Sequence, residues 1–161
     1  MEQGTGGTKM RLNLGCGAFP IADGINHDIV AHSDYVDTVW NLDKMPWPWE
    51  NEEFEGIIAK AVLEHLHWTL LESINECWRI LKPGGHLYVK VPCWDSYVSH
   101  QDPTHRWFYA PRVFEYFDPE MPLGKKYHWY TPLKWRLVKP GGLNSGSTSI
   151  HATLEKLVDV D

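Results

Sequence analysis

Gly15-Cys16-Gly17 closes an alternating apolar and polar run, Met10-Arg11-Leu12-Asn13-Leu14, and Asp28 stands eleven residues beyond Gly17. Glycines at the carboxyl end of a strand let a ligand lie against bare backbone, because no Cβ intervenes. Ligands of open α/β sheets sit at those ends. An acid that closes the neighbouring strand can accept both hydroxyls of a ribose, so the pattern is that of a nucleotide site, with a tight turn and a surface Asp as the plainer alternative. A second concentration of chemistry lies far along the chain, where His100, Asp102, His105 and Arg106 crowd one segment. A His paired with an Asp can take the proton a nucleophile releases, and an Arg can hold an anion. The alternative is that Asp102-Pro103-Thr104-His105 is a turn whose side chains cap its own backbone. His100, Asp102 and His105 are ligand types for zinc, but a closed site needs a fourth group and none is evident, so no metal is expected. Cys93 needs activation to a thiolate before it can act as a nucleophile, and no such role is expected of it.

These residues need elements to hold them. Residues 10–14 read as a strand ending in the glycine turn, residues 25–30 and 35–40 as two more, and residues 55–60 as a fourth. Met45-Pro46-Trp47-Pro48-Trp49 is a loop, since each proline removes a backbone donor. Val62, Leu66, Leu70, Ile74, Trp78 and Leu81 recur at helical spacing, which predicts a helix over residues 62–81 stopped by Lys82-Pro83-Gly84-Gly85. Residues 86–91 alternate as a strand. Residues 92–111 are loop-like, residues 112–117 a short helix, and residues 131–139 and 149–158 two strands around a glycine-rich hairpin connection at 140–146. Strands alternating with connections indicate an α/β sheet, here a lean one. Only ten residues, 18–27, separate Gly17 from Asp28. That is too few for a helix with its two loops, so the first crossover is expected to be reduced to a turn.

A chain of 161 residues suits one domain spanning 1–161, with 1–9 as a flexible lead-in. The composition, 43% hydrophobic and 22% charged, argues against disorder. A formal charge of −6 gives no global basic field for nucleic acid, so a nucleic-acid partner is not expected. No run approaches the length of a membrane span, and the first residues lack the basic and apolar regions of a secretory signal. Cys16, Cys77 and Cys93 make neither a disulfide framework nor a CxxC pair, which fits a reducing cytoplasm. Acids crowd residues 21–56, nine against one base, whereas residues 125–139 hold five bases and no acid. Thirteen of the 21 aromatics lie between Tyr88 and Trp135, enough to wall an acceptor pocket as well as fill a core.

Leu14-Gly15-Cys16-Gly17, Asp28, Asn41-Leu42-Asp43-Lys44-Met45-Pro46-Trp47, the run Phe54 to His65, and Arg79-Ile80-Leu81-Lys82-Pro83-Gly84-Gly85-His86-Leu87 follow in one order. Together they resemble the class I S-adenosylmethionine-dependent methyltransferases, in the group called methyltransferase type 11, over about residues 10–92. The C-terminal third, through Asp102-Pro103-Thr104-His105-Arg106-Trp107-Phe108, is similar to a short bacterial and phage branch. The resemblance implies a Rossmann-like sheet of seven strands, mostly parallel, with an antiparallel C-terminal hairpin and reduced helices. It implies S-adenosylmethionine as cofactor and S-adenosylhomocysteine as product. Leu14, Gly15, Cys16 and Gly17 would pass under the cofactor's methionine part, Asp28 would hold the ribose, and Asn41 and Leu42 the adenine. Ala59 and Lys60 would stand near the sulfonium. His105 and Asp102 would be catalytic, with His65, Trp94, His100 and Arg106 toward the substrate, most simply a small molecule. The other reading is a cofactor-binding regulatory or partner subunit with no activity of its own. The oligomeric state is not legible.

Overall fold

The computed structural model describes residues 10–139 and 148–158. Seven strands form one sheet: β1 (Arg11–Leu14), β2 (Ile25–Asp28), β3 (Thr38–Val39), β4 (Phe54–Lys60), β5 (Leu81–Pro92), β6 (Trp135–Lys139) and β7 (Ser149–Lys156). Their spatial order is β3-β2-β1-β4-β5-β7-β6. The pairs from β3 through β5 are parallel, and β7 runs antiparallel to both β5 and β6. The expected fold class therefore holds. The order reverses between β1 and β4, and in such sheets the crevice at that switch receives the ligand. The expected glycine-rich connection at 140–146 lies outside the described residues.

The helices are α1 (Leu70–Ile80), α2 (Tyr97–Gln101) and α3 (Pro122–Lys126), with 3₁₀ turns at Leu63–His65 and Val113–Phe117. The helix expected over 62–81 is thus shorter than its apolar spacing suggested. Thr69 starts it late: its hydroxyl accepts the Glu72 N–H at 3.3 Å, while the Glu72 carboxylate accepts the Thr69 N–H at 2.8 Å. That reciprocal pair satisfies two orphan donors and fixes the N-terminus. Leu81, read as the last helical residue, is instead the first of β5. β3 has two residues where six were expected, and α2 and α3 were not anticipated.

No helix forms between Gly17 and Asp28, as the residue count required. Two buried amides organise the short connection instead. Asn13 Nδ2 donates to Phe19 O at 2.9 Å, and Asn26 Oδ1 accepts the Ile21 N–H at 2.8 Å while its Nδ2 returns to Ile21 O. The Pro-Trp-Pro-Trp loop packs inward, with Trp47 and Trp49 buried and edge-to-face on one another, and Trp49 edge-to-face on Phe54. Arg79 of α1 clamps it, donating to the carbonyls of Trp47 and Trp49 and to Glu76. Leu12, Leu14, Ile57, Val89 and Leu154 form the core of the sheet.

Candidate functional site

The chain leaves β1 through Gly15 and Gly17, at φ of 58° and 50°. This left-handed region is strained for any residue with a Cβ. A Cβ on Gly15 would also press on Val62 at 2.9 Å, whereas one on Gly17 would enter open space. His27, on β2, holds the turn: Gly15 N–H donates to its Nδ1 at 3.2 Å, and its Nε2 donates to Trp40 O at 2.9 Å. Those partners fix the neutral tautomer, and burial lowers the pKa of this imidazole. Asp28 Oδ2 accepts the Gly17 N–H at 2.9 Å and faces His32 Nε2 at 3.3 Å, while Oδ1 accepts the Ile29 N–H at 2.7 Å. Burial pushes the Asp28 carboxyl up, but the two amides and His32 outweigh it, and the group stays below its ordinary range.

A cleft of about 280 Å³ opens where β1, β2 and β3 end, walled on the other side by the connection after β4. That is near the lower end of small-molecule sites, which run roughly 300–1,000 Å³. Gly15, Gly17, Asp28, Asn41 and Leu42 all line it, so five of the expected cofactor residues meet in one place. Asn41 Oδ1 already accepts the Asp43 N–H at 2.9 Å, which leaves it one lone pair. Four expected residues stand off the cleft. Leu14 and Ala59 are fully buried in the core, Cys16 is buried behind the turn, and Lys60 reaches over the Tyr88 ring. The wall expected of Ala59 and Lys60 is made by Ala61 and Val62, because β4 runs on to Lys60 and the chain turns only at Ala61, with φ 51°. His27, Ile29, Trp40 and Asp43 also line the cleft. Their signal was position, each lying beside an expected residue at a strand end.

The loop after β5 docks beside this cleft. Arg106 N–H and Trp107 N–H both donate to Glu64 O, and Trp107 Nε1 donates to Leu66 O. The expected His105–Asp102 pair is not made. Asp102 Oδ1 accepts from Thr104 N and Thr104 Oγ1, at 2.8 and 2.7 Å, closing the turn on itself. His105 Nδ1 donates to Ser99 O at 2.8 Å instead. His100 stacks on Phe108 and bonds Trp94 O, with Trp94 itself exposed. None of Trp94, His100, Asp102, His105 and Arg106 lines the cleft; His65 does, and its ring stands edge-on to His105 at 4.6 Å. Beneath them lies Glu64, fully buried, with neither carboxylate oxygen hydrogen-bonded. Burial pushes its carboxyl up to about 7, against the pull of its own backbone N–H and of the nearby His105.

A family model described as a methyltransferase domain matches residues 27–89. The chain is 37% identical over 67 residues to the type II methyltransferase M.BamHI of Bacillus amyloliquefaciens. That match covers 40% of this chain and 14% of the relative's length. A S-adenosylmethionine-dependent methyltransferase from Archaeoglobus fulgidus superposes with a TM-score of 0.60 at 15% identity, over 93% of this chain and 87% of that one. A complex of the Haloferax volcanii Trm112 methyltransferase activator with a methyltransferase superposes at 0.61 and 10% identity, over 94% and 84%. The sheet order and the switch-point cleft accord with the fold of those neighbours, and the matched segment falls between β2 and β5. Residues 27–89 match a methyltransferase domain, and the fold is similar to that of S-adenosylmethionine-dependent methyltransferases, whose cofactor is S-adenosylmethionine. The cleft fits the group: an acid held in its ionised form by two amides, beside a glycine whose missing Cβ leaves open space.

Proposed function

We propose that this chain catalyses methyl transfer from S-adenosylmethionine to a small-molecule acceptor that approaches past His65. The supporting observation is the convergence of Gly15, Gly17, Asp28, Asn41 and Leu42 on one cleft at the carboxyl ends of adjacent parallel strands. S-adenosylmethionine, when bound, supplies a sulfonium methyl that is electrophilic by itself, so the protein's share is mainly alignment. Asp28 holds the ribose hydroxyls with the lone pairs that its amide partners leave free. Asn41 offers its remaining lone pair to the adenine amine, and Ile29 and Leu42 flank the ring. Val62 and Ala61 bound the side from which the acceptor comes. Trp94, His100 and Arg106, on the docked loop, serve acceptor recognition outside the cleft. His105 and Asp102 act through the shape of that loop, since neither faces the cleft.

The deciding experiment is turnover. Purified protein with S-adenosylmethionine is offered a panel of small-molecule and nucleic-acid acceptors, and S-adenosylhomocysteine release is followed. Acceptor-dependent release from small molecules supports the reading, and release only with nucleic acid moves the acceptor to that class. A second reading, a cofactor-binding subunit that needs a partner, draws on the shortened first crossover and on the activator complex among the fold neighbours. It predicts tight S-adenosylhomocysteine binding with no turnover by the chain alone.

A further inference from the structure

Glu64, His65 and His105 each place a ligand atom within 4.8 Å of the other two. Glu64 and His105 come from segments 41 residues apart in sequence, joined where the Arg106 and Trp107 amides bond Glu64 O. The hydrogen bonds around the two imidazoles settle which nitrogen each leaves free. Thr104 Oγ1 spends its single proton on the Asp102 carboxylate at 2.7 Å, so toward His65 Nδ1, 2.8 Å away, it can only accept. His65 therefore carries its proton on Nδ1 and keeps the Nε2 lone pair. Ser99 O likewise can only accept from His105 Nδ1, so His105 also keeps its Nε2 lone pair. That lone pair faces Glu64 Oε1 at 3.9 Å, acceptor toward acceptor.

Two imidazole lone pairs beside a fully buried carboxylate that no side chain bonds favour a cation among them. A proton on Glu64 would remove the charge and could be donated toward His105 Nε2, but it would leave the His65 nitrogen without a partner. A metal ion answers all three. Two neutral imidazole nitrogens and one carboxylate make a donor set for Zn²⁺ or another divalent first-row transition ion, of the open kind that keeps a position for a further ligand. Two ligands about 2.1 Å from a tetrahedral zinc lie roughly 3.4 Å apart, so the Glu64–His105 pair at 3.9 Å needs a small inward shift, and the other pairs, within 4.8 Å, a shift of up to about 1.4 Å. The outer bonds are those a metal site needs: each imidazole's second nitrogen is held by an oxygen, one of them backed by a carboxylate.

We propose that Glu64, His65 and His105 bind one divalent transition-metal ion, entered from the cleft side through His65. The ion's remaining position would face the cleft, where an oxygen of the acceptor or a water would complete the shell. The proposal rests on this cluster and not on the acceptor's identity.

Protein stripped with a chelator is titrated with Zn²⁺, Mn²⁺ and Fe²⁺, with Mg²⁺ as the control that the nitrogen donors should reject. Calorimetry and thermal unfolding are the readouts, and Co²⁺ is added separately for its visible ligand-field bands. The expected result is one ion per chain, a raised melting temperature and four-coordinate Co²⁺ bands. Glu64→Gln and His105→Gln should each weaken binding by 100-fold or more. Thr104→Val should weaken it by roughly 10–100-fold, the usual effect of losing an outer partner. His128→Ala, at an exposed histidine elsewhere, should leave it unchanged. Glu64→Gln without metal should melt no lower than the stripped wild type, which shows that the variant folds. S-adenosylhomocysteine binding is measured on the same samples, so loss of the cofactor site and loss of the metal site are read separately. No uptake of any of the three ions by folded wild type, or uptake that survives Glu64→Gln and His105→Gln, overturns the proposal.

Discussion

Asp28 spends part of its capacity on the protein itself, accepting Gly17 and Ile29 N–H groups and facing His32. Asp28→Ala should therefore act twice. Loss of charge-assisted bonds worth roughly 1.5–3 kcal/mol each should weaken S-adenosylhomocysteine at least tenfold by calorimetry, and the chain should also unfold more easily. Because the folded carboxyl lies below its ordinary 3.8, its contribution is complete above that value and is lost as pH falls through the lower, folded one. Asp28→Asn should flatten the stability profile in that acid window; an unaltered acid limb would mean the amides do not hold the charge. His27 works at higher pH. Its folded pKa is lowered from 6.5 by burial, so the unfolded chain binds the proton more readily. Stability is complete above 6.5 and declines as pH drops through 6.5 toward the folded value. His27→Gln should remove that share of the decline, followed by denaturant melts at several pH values, at the expense of the bonds that tie the Gly15 turn to Trp40.

At the scale of elements, what the sequence disclosed depended on how local the cause was. The missing first crossover was a matter of counting residues between Gly17 and Asp28, and no tertiary contact could change the count. The glycine turn and the acid were legible because their chemistry depends on strand ends, which local patterning marks. The start of α1 was also written locally, as Thr69-x-x-Glu72, but the apolar spacing of Val62 and Leu66 spoke for a longer helix; both side chains pack inward from non-helical backbone. Thr69→Ala should cost about 0.5–2 kcal/mol in unfolding free energy, with Thr69→Ser restoring most of it. An unchanged midpoint would show that Arg79 and the tryptophan loop, rather than the cap, hold the helix. Ala61 and Val62 replaced Ala59 and Lys60 because a strand's last residue is set by its neighbours' register, which no short window contains. The Glu64–His65–His105 cluster was beyond reach for the same reason, since it exists only once the loop after β5 folds back on the turn after β4.

Across the whole molecule, a seven-stranded sheet is served by one helix longer than five residues among the described residues. In an open α/β sheet, the first crossover helix presents its N-terminus to a ligand at the switch point. Here residues 18–24 form a turn held by Asn13 and Asn26, and no described helix stands over Gly17. The groups that converge on the cleft come from the ends of β1, β2 and β3 and the connection after β4, and in the proposed reading they face a nucleoside. Beyond Gly17 the space is open. Recognition should accordingly be concentrated on adenine and ribose, with little contributed by the amino-acid end of the cofactor. We expect 5′-methylthioadenosine, which keeps the nucleoside and sulfur but lacks that end, to bind within about tenfold of S-adenosylhomocysteine, a difference of about 1.4 kcal/mol or less. Adenosine analogues without ribose hydroxyls should lose far more, through Asp28. Competition calorimetry on the full chain decides the matter. A drop of a hundredfold or more for 5′-methylthioadenosine would mean that another part of the chain closes over the amino-acid end when cofactor binds, and that the open turn is completed only in the bound state.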